Sequence, residues 1–421
     1  MKRRLVTGRL EGEIDAPASK SYSHRWAIIC ALAGGGRVLK ALQADDVAVT
    51  LNGLKSLAYN LQCEADSISV LPSSATADTV HIDAGESGTS ARFLTALAAL
   101  HDGPVCISGR GRMNRRPFLP LLEVLAQLGV DCRHSDGYPP LEIRGPLRRG
   151  GTVVVEAAQS SQFVSALMLI APLLESGLQI NLRGPVSSRP YIDVTVDCMR
   201  RAGIDVRVRE AEITVPPGSY RAADYEVEGD WSNASYWLLG AALSGGRLRI
   251  GNLAPDSVQG DRRLLDILQS CGAQTEQRSN SGHDFFVLHR AENLRPYRVD
   301  LTQTPDLAPG LAVLALFCDG VSTLDNVGIL RHKESDRLEA LLLNLQALGA
   351  VAESDGRSLS IAPPRRPRGA QIRTFGDHRI AMSFALAGLR IPDIELDDDS
   401  VVNKSYPQFW RDYDRLLVEA V

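Results

Sequence analysis

Six polar turns carry most of the side chains able to do chemistry in this chain: Ser19-Lys20-Ser21-Tyr22-Ser23-His24-Arg25, Glu86-Ser87-Gly88-Thr89-Ser90-Ala91-Arg92, Ser160-Ser161-Gln162, Gly229-Asp230-Trp231-Ser232-Asn233, Thr304-Pro305-Asp306 and Gly376-Asp377-His378-Arg379. Each runs straight into an apolar stretch that reads as a helix. A helix start presents unpaired N–H groups and partial positive charge, so such turns, with Lys and Arg beside them, suit a ligand bearing several phosphates or carboxylates. Ser or Asp at a helix start is ordinarily only a cap. Capping does not explain Lys20, whose charge opposes the helix dipole unless an anion lies between them. Gly88 leaves room for a phosphate to approach backbone N–H groups, with Arg92 one turn further on.

Three further clusters allow two readings each. Arg112, Arg115 and Arg116, after Gly109 and Gly111, form either a solvated basic loop or an arm that closes on an anion. Ser187-Ser188-Arg189 carries more hydroxyl donors than capping needs. Arg331-His332-Lys333-Glu334-Ser335-Asp336-Arg337 is either a solvated helix start or a set of cations around one carboxylate, Glu334, whose protonation its neighbours would set. Asp306, taken alone, reads as a cap.

The positioning elements repeat. Apolar helices are expected over Trp26–Ala33, Phe93–Leu100, Phe163–Leu174, Tyr236–Leu243, Leu311–Cys318 and Ile380–Leu389, and helices apolar on most faces must be buried. A second, amphipathic kind ends in a Gly step at Gly129, Gly203, Gly272 and Gly349, roughly seventy to eighty residues apart, with a looser copy over Asp46–Ala58. Six units follow, each strand, apolar helix, strand, amphipathic helix and two short strands. The expected fold is α/β, with two similar lobes of three βαβαββ units and buried parallel helices. Residues 19–228 would form the N-terminal lobe, and 1–18 with 229–421 the C-terminal lobe, with hinge crossings near residues 18 and 228. The first strand, Met1–Ala16, alternating from Leu5 onwards, would complete the C-terminal lobe.

Composition narrows the function. A formal net charge of -4 argues against a general nucleic-acid or membrane-surface binder. The seven scattered cysteines form no CxxC or Cys/His cluster, which reads as reduced thiols in a cytoplasmic protein without structural zinc. No signal peptide or membrane-spanning run is visible, and neither metal nor cofactor is expected.

At these residues the chain resembles the 5-enolpyruvylshikimate-3-phosphate synthase family of enolpyruvyl transferases. The resemblance runs in order through Ser19-Lys20-Ser21, Gly88-Thr89, Arg112-Met113 with Arg116-Pro117, Ser160-Ser161-Gln162-Phe163, Pro190-Tyr191-Ile192-Asp193, Glu228-Gly229-Asp230, Pro305-Asp306, Lys333-Glu334-Ser335-Asp336-Arg337 and Asp377-His378-Arg379. It implies two lobes of three βαβαββ units and transfer of an enolpyruvyl group from phosphoenolpyruvate to the 5-hydroxyl of shikimate 3-phosphate, in chorismate and aromatic amino-acid biosynthesis. It implies shikimate 3-phosphate contacts at Lys20, Ser21, Arg25, Ser160, Ser161, Gln162, Ser188, Asp306 and Lys333. Phosphoenolpyruvate contacts are implied at Lys20, Gly88, Arg112, Gln162, Arg337 and Arg379; Lys404 is either the stand-in for a lysine that some relatives carry at the position of Ser400 or an ordinary surface lysine. Asp306 is assigned to the hydroxyl, Glu334 to the C3 proton, and Lys20 to proton transfer or the departing phosphate. Ile329 stands where some members have Asn. A monomer, sensitive to glyphosate, is expected. One rival is the sister transferase acting on UDP-N-acetylglucosamine, whose mobile loop carries a reactive Cys, where the loop Arg110–Arg116 has none; the other is a non-catalytic polyanion-binding or RNA-end-processing protein, against which the acidic net charge weighs.

Overall fold

The computed structural model describes residues 1–72, 79–280, 283–289 and 293–419. They fall into two compact units, Ala18–Glu228 and Met1–Pro17 with Gly229–Val421.

In the first unit three four-stranded sheets share one plan, an edge strand parallel to its neighbour and then an antiparallel hairpin. Strand Val80–Asp83 runs parallel to Pro104–Ser108, which pairs with Tyr138–Arg144 and that with Asp131–Ser135. Gly151–Glu156, Leu178–Arg183, Glu212–Val215 and Arg207–Arg209 repeat the order. In the third sheet the parallel edge is Asp224–Glu226, from the far end of the unit, laid beside Gly36–Leu39. Directly before the second strand of each plan comes one buried helix: Gly88–Ala98, Ser161–Ile170 and Lys20–Ala33. Helix Ser161–Ile170 packs on both of the others.

The second unit repeats the plan with its opening strand borrowed from the N-terminus. Gly12–Asp15 runs parallel to Leu248–Gly251, ahead of the hairpin Gln274–Asn280 and His283–His289. Arg298–Asp300, Ser322–Asp325, Ser358–Ala362 and Val351–Ser354 form the next sheet. In the last, Gln371–Ile372 and Glu395–Leu396 run parallel and Arg3–Arg4 adds the third strand. The expected single strand Met1–Ala16 is broken: Gly8–Leu10 pairs instead with Leu417–Glu419, and Gly12 at φ 122° turns the chain between two short strands. The buried helices Trp231–Ser244, Ala308–Ala315 and His378–Gly388 pack mutually. Gly310 permits the approach, since a Cβ there would lie 2.4 Å from Leu239 Cδ1.

The expected plan of two lobes, each of three units around buried helices, is the plan observed, except that the last unit has a three-stranded sheet completed by Arg3–Arg4 in place of the closing hairpin. All eight residues of Ala308–Ala315 and ten of Lys20–Ala33 are buried, as helices apolar on most faces must be. Each buried helix begins earlier than its apolar stretch, and all but Ala308–Ala315, which follows the separate turn Pro305–Leu307, take in residues of the polar turn before it. The amphipathic helices Leu119–Gln127, Pro190–Arg201, Leu264–Ser270 and Arg337–Ala347 end before Gly129, Gly203, Gly272 and Gly349, whose φ values lie between 93° and 98°. After Asp45–Ser56 the same left-handed position is filled by Ala58 at φ 68°. No described helix is long and apolar enough to cross a membrane, and all seven cysteines are unpaired.

Candidate active site

In the first unit the starts of the three buried helices are stitched together by side chains. Lys20 Nζ donates to Asp46 Oδ2 at 2.9 Å, and Ser90 Oγ, in the next helix, donates to the Asp46 carbonyl at 2.9 Å. Gln162 Nε2 reaches Thr89 Oγ1 at 3.0 Å, joining the second helix to the third. Its Oε1 is buried without a hydrogen-bond partner among the described residues. Ser160 caps the third helix by accepting from the Gln162 N–H at 3.2 Å, and Ser161 is buried beside it.

Arg25 is 2 % exposed and held entirely by neutral groups. It donates to Thr195 Oγ1, the Ser21 and Tyr191 carbonyls and Ser165 Oγ at 2.8–3.4 Å, and its guanidinium stacks on Phe93. Burial brings its pKa down to about 10. A buried cation without a carboxylate is costly, and an anionic ligand would offset that cost. The partners of Arg25 gather Ser21, the helix bearing Ser161 and the turn bearing Ser188, which sits in the left-handed region at φ 57°.

Gly88 opens its helix beneath an arginine, but that arginine is Arg116. A Cβ on Gly88 would lie 2.5 Å from Arg116 Nη1 and 2.8 Å from its Cζ. Arg112, the residue picked from the loop, is exposed, its backbone N–H donating to Glu86 Oε1 at 3.3 Å. Met113 is buried between the two arginines and anchors the turn Gly111–Arg115. Arg92 steadies the same corner by donating to the Gly88 and Pro117 carbonyls at 3.1 Å while stacking on Phe118 and Phe163.

In the second unit Arg337, fully buried, is the hub. It donates to Asp306 Oδ1 at 2.8 Å, Glu334 Oε2 at 2.7 Å and Asp377 Oδ2 at 2.8 Å. Arg379 Nη2 lies 3.2 Å from Asp306 Oδ2, and Lys333 Nζ 3.9 Å from Oδ1. Asp377 caps helix His378–Gly388 through the Arg379 N–H and accepts from Ser335 Oγ at 3.0 Å. Burial alone would raise the Asp306 pKa, but Arg379, Lys333 and Arg337 outweigh it and hold the carboxyl well below its usual range. Burial likewise works against the Arg337 charge, and Asp377, Glu334 and Asp306 overcome it. Both carboxylates proposed for catalysis are therefore bonded to cations that a ligand's phosphates and carboxylates would compete for.

Lys404 ends the turn Ser400–Lys404, half-buried, and the next residue is tied to the start of helix Trp231–Ser244 by Asn233 Nδ2 donating to the Ser405 carbonyl at 3.3 Å. Ser400 serves locally, donating to Asp398 Oδ1. Ile329 packs against the core. Of the residues picked from sequence, Lys20, Ser21, Arg25, Gly88, Ser160, Ser161, Gln162 and Ser188 belong to the stitched helix starts of the first unit or the turns bonded to them. Asp306, Lys333, Glu334, Arg337 and Arg379 form one network in the second. Arg116, which the sequence groups with Arg112 and Arg115 in one basic loop, is the member whose guanidinium lies over Gly88.

Solved structures with this fold define the class. The chain matches an EPSP synthase from Acinetobacter baumannii with a TM-score of 0.82 at 23% identity, covering 99% of this chain and 98% of that one. It matches the enolpyruvyl transferase NikO from Streptomyces tendae with a TM-score of 0.78 at 18% identity, covering 99% and 97%. The fold is thus that of the enolpyruvyl transferases. The sequence is more specific: the family model for EPSP synthase (3-phosphoshikimate 1-carboxyvinyltransferase) matches residues 6–413. Relatives named 3-phosphoshikimate 1-carboxyvinyltransferase are 39% identical in Methanoculleus marisnigri, over 96% of each chain, and 38% in Syntrophobacter fumaroxidans, over 97% of each. This chain belongs to the EPSP synthase family.

Proposed function

We propose that this chain transfers the enolpyruvyl group of phosphoenolpyruvate to the 5-hydroxyl of shikimate 3-phosphate, releasing 5-enolpyruvylshikimate 3-phosphate and inorganic phosphate. The observation that carries the reading, given the family, is the network in which Arg337, Arg379 and Lys333 hold Asp306 and Glu334. Each substrate brings a phosphate and a carboxylate, so binding both requires many cations. Arg25, with Ser21, Ser160, Ser161, Gln162 and Ser188, is assigned to shikimate 3-phosphate, together with Lys333 and Asp306. Gly88, Arg112, Arg337, Arg379, Lys20, Gln162 and Lys404 are assigned to phosphoenolpyruvate, with Arg116, whose guanidinium lies over Gly88, beside them.

The reaction is an addition followed by an elimination. The 5-hydroxyl oxygen bonds to C2 of phosphoenolpyruvate while C3 gains a proton, and the tetrahedral adduct then loses phosphate from C2 and one proton from C3. Asp306, ionised, accepts the hydroxyl proton once ligand anions have taken its cations. Glu334, 2.7 Å from Arg337, gives and retrieves the C3 proton. Lys20, in exchange between Asp46 and the ligand, stabilises the departing phosphate. The seven unpaired cysteines support a cytoplasmic enzyme. The test is phosphate release from phosphoenolpyruvate, which should require shikimate 3-phosphate; release that requires UDP-N-acetylglucosamine instead would transfer the assignment to the sister activity.

A further inference from the structure

Beneath the Lys20–Asp46 pair runs a second tier of hydrogen bonds that the proposed chemistry does not use. His24 follows Lys20 by four residues on helix Lys20–Ala33, and Thr50 follows Asp46 by four on helix Asp45–Ser56, so each lies one turn along the same helix face. His24 Nδ1 and Thr50 Oγ1 are 2.7 Å apart, and Thr50 Oγ1 lies 2.7 Å from Ser90 Oγ, on helix Gly88–Ala98. Ser87, the cap of that helix, places its Oγ 2.7 Å from Ser90 Oγ. All four side chains are buried.

Each link has a forced direction. Ser90 Oγ is 2.9 Å from the Asp46 carbonyl, which can only accept, so the one hydroxyl proton of Ser90 is committed there. Ser87 and Thr50 must then each donate to Ser90, whose two lone pairs they fill. Thr50 Oγ1, its own proton committed to Ser90, can only accept from His24, and the ring nitrogen facing it must carry hydrogen. Ser87 Oγ still accepts from the Ser90 N–H at 3.4 Å. The chain therefore runs one way, from His24 Nδ1–H through Thr50 and Ser90 to the Asp46 carbonyl. It crosses three helices, the middle one packed on both of the others. Sliding any one of them would leave a buried donor or acceptor unpaired, and that cost holds their spacing.

We propose that His24 is a positioning residue: fixed in its Nδ1–H form, it anchors a one-way hydrogen-bonded chain that sets the spacing between Lys20 and the helix start at Gly88. The inference rests on the assignment of Lys20 and Gly88 to phosphoenolpyruvate made above.

Two measurements on the full-length protein test it. Neutron diffraction from a crystal of the perdeuterated wild type should show deuterium on His24 Nδ1, with the Thr50 hydroxyl deuterium directed at Ser90. A bare Nδ1 overturns the proposal without recourse to any variant. Thr50→Val keeps the shape and removes the hydroxyl, whereas Thr50→Ser keeps the hydroxyl and gives up a methyl group. In steady-state phosphate release, Thr50→Val should raise the KM for phosphoenolpyruvate roughly tenfold, as a displacement well short of 1 Å would. The KM for shikimate 3-phosphate, assigned to Arg25 and the start of helix Ser161–Ile170, should change by less than about threefold on the same grounds. Thr50→Ser should bring both values back towards wild type, a rescue that packing would not give, since Ser fills the site less well than Val. An unchanged KM for phosphoenolpyruvate in a folded Thr50→Val, or a Thr50→Ser no better than it, overturns the proposal; should Thr50→Val not fold, the neutron map decides alone. Deuterium on Nδ1 in a chain that releases no phosphate with shikimate 3-phosphate would refute the proposed reaction and leave the chain of bonds standing. Release by a protein with a bare Nδ1 would do the reverse.

Discussion

Asp306→Asn separates binding from chemistry more sharply than any other single change. In the wild type Asp306 occupies three cations, Arg337 at 2.8 Å, Arg379 at 3.2 Å and Lys333 at 3.9 Å. Hydrogen bonds to charged groups contribute about 1.5–3 kcal/mol each, and a ligand anion must replace them before it gains from the same cations. Asn keeps the shape and gives up the charge. Phosphoenolpyruvate should therefore bind at least as tightly, its KM falling up to about tenfold if about 1.4 kcal/mol of this competition is relieved. The variant also lacks the acceptor for the 5-hydroxyl proton, and general-base catalysis is worth roughly 10²–10⁴-fold. Steady-state phosphate release with each substrate varied in turn should show kcat lower by about that factor with neither KM raised. A kcat within threefold of wild type would refute the role of Asp306, and a KM that rises while kcat holds would refute the competition argument.

Three further outcomes follow from other contacts. Gly88→Ala places a methyl group 2.5 Å from Arg116 Nη1, so the guanidinium must shift; the KM for phosphoenolpyruvate should rise, by up to roughly a hundredfold for an ångström-scale displacement, and that for shikimate 3-phosphate far less. Arg25→Gln should raise the KM for shikimate 3-phosphate by about 10–150-fold, equivalent to the loss of one charge-assisted bond, and should spare that for phosphoenolpyruvate. The buried carboxyls give opposite pH dependences. Asp306 is depressed, so its contribution to stability is present above the ordinary carboxylate range and is lost as pH falls towards its lower folded-state value. Asp261 is raised to about 7, so stability is full below its ordinary value of 3.8 and declines as pH rises to about 7, by up to about 4 kcal/mol. Denaturant titrations at pH 5 and pH 8 should show Asp261→Asn gaining on wild type at the higher pH; equal differences at the two values would contradict this sign.

Much of this architecture was readable because it rests on local chemistry. Runs such as Leu311–Cys318 must be buried, and the Gly of each Leu-Gly or Ala-Gly step must terminate a helix, here with φ near 95° at Gly129 and Gly203. The parts that were not readable depend on distant partners. Nothing near Gly8 announces that Gly8–Leu10 pairs with Leu417–Glu419, or that Gly12–Asp15 opens a sheet with Leu248–Gly251. The stop at Ala58 was readable from the repeat alone, since it takes the left-handed conformation without being glycine. In the basic loop, spacing alone does not show that Arg116 lies over Gly88 while Arg112, on the other side of the buried Met113, is exposed. Asp261 carried no signal either: Gly260-Asp261-Arg262-Arg263 reads as a helix start, and only packing buries its carboxyl against Ser232 of helix Trp231–Ser244.

The most direct measurement is inorganic phosphate liberated from phosphoenolpyruvate by the purified chain, with shikimate 3-phosphate, with UDP-N-acetylglucosamine, and with neither. Release confined to the first condition, and lowered at least a hundredfold by both Asp306→Asn and Glu334→Gln, is the predicted result. Release without shikimate 3-phosphate, or near-normal turnover in both variants, would contradict the account.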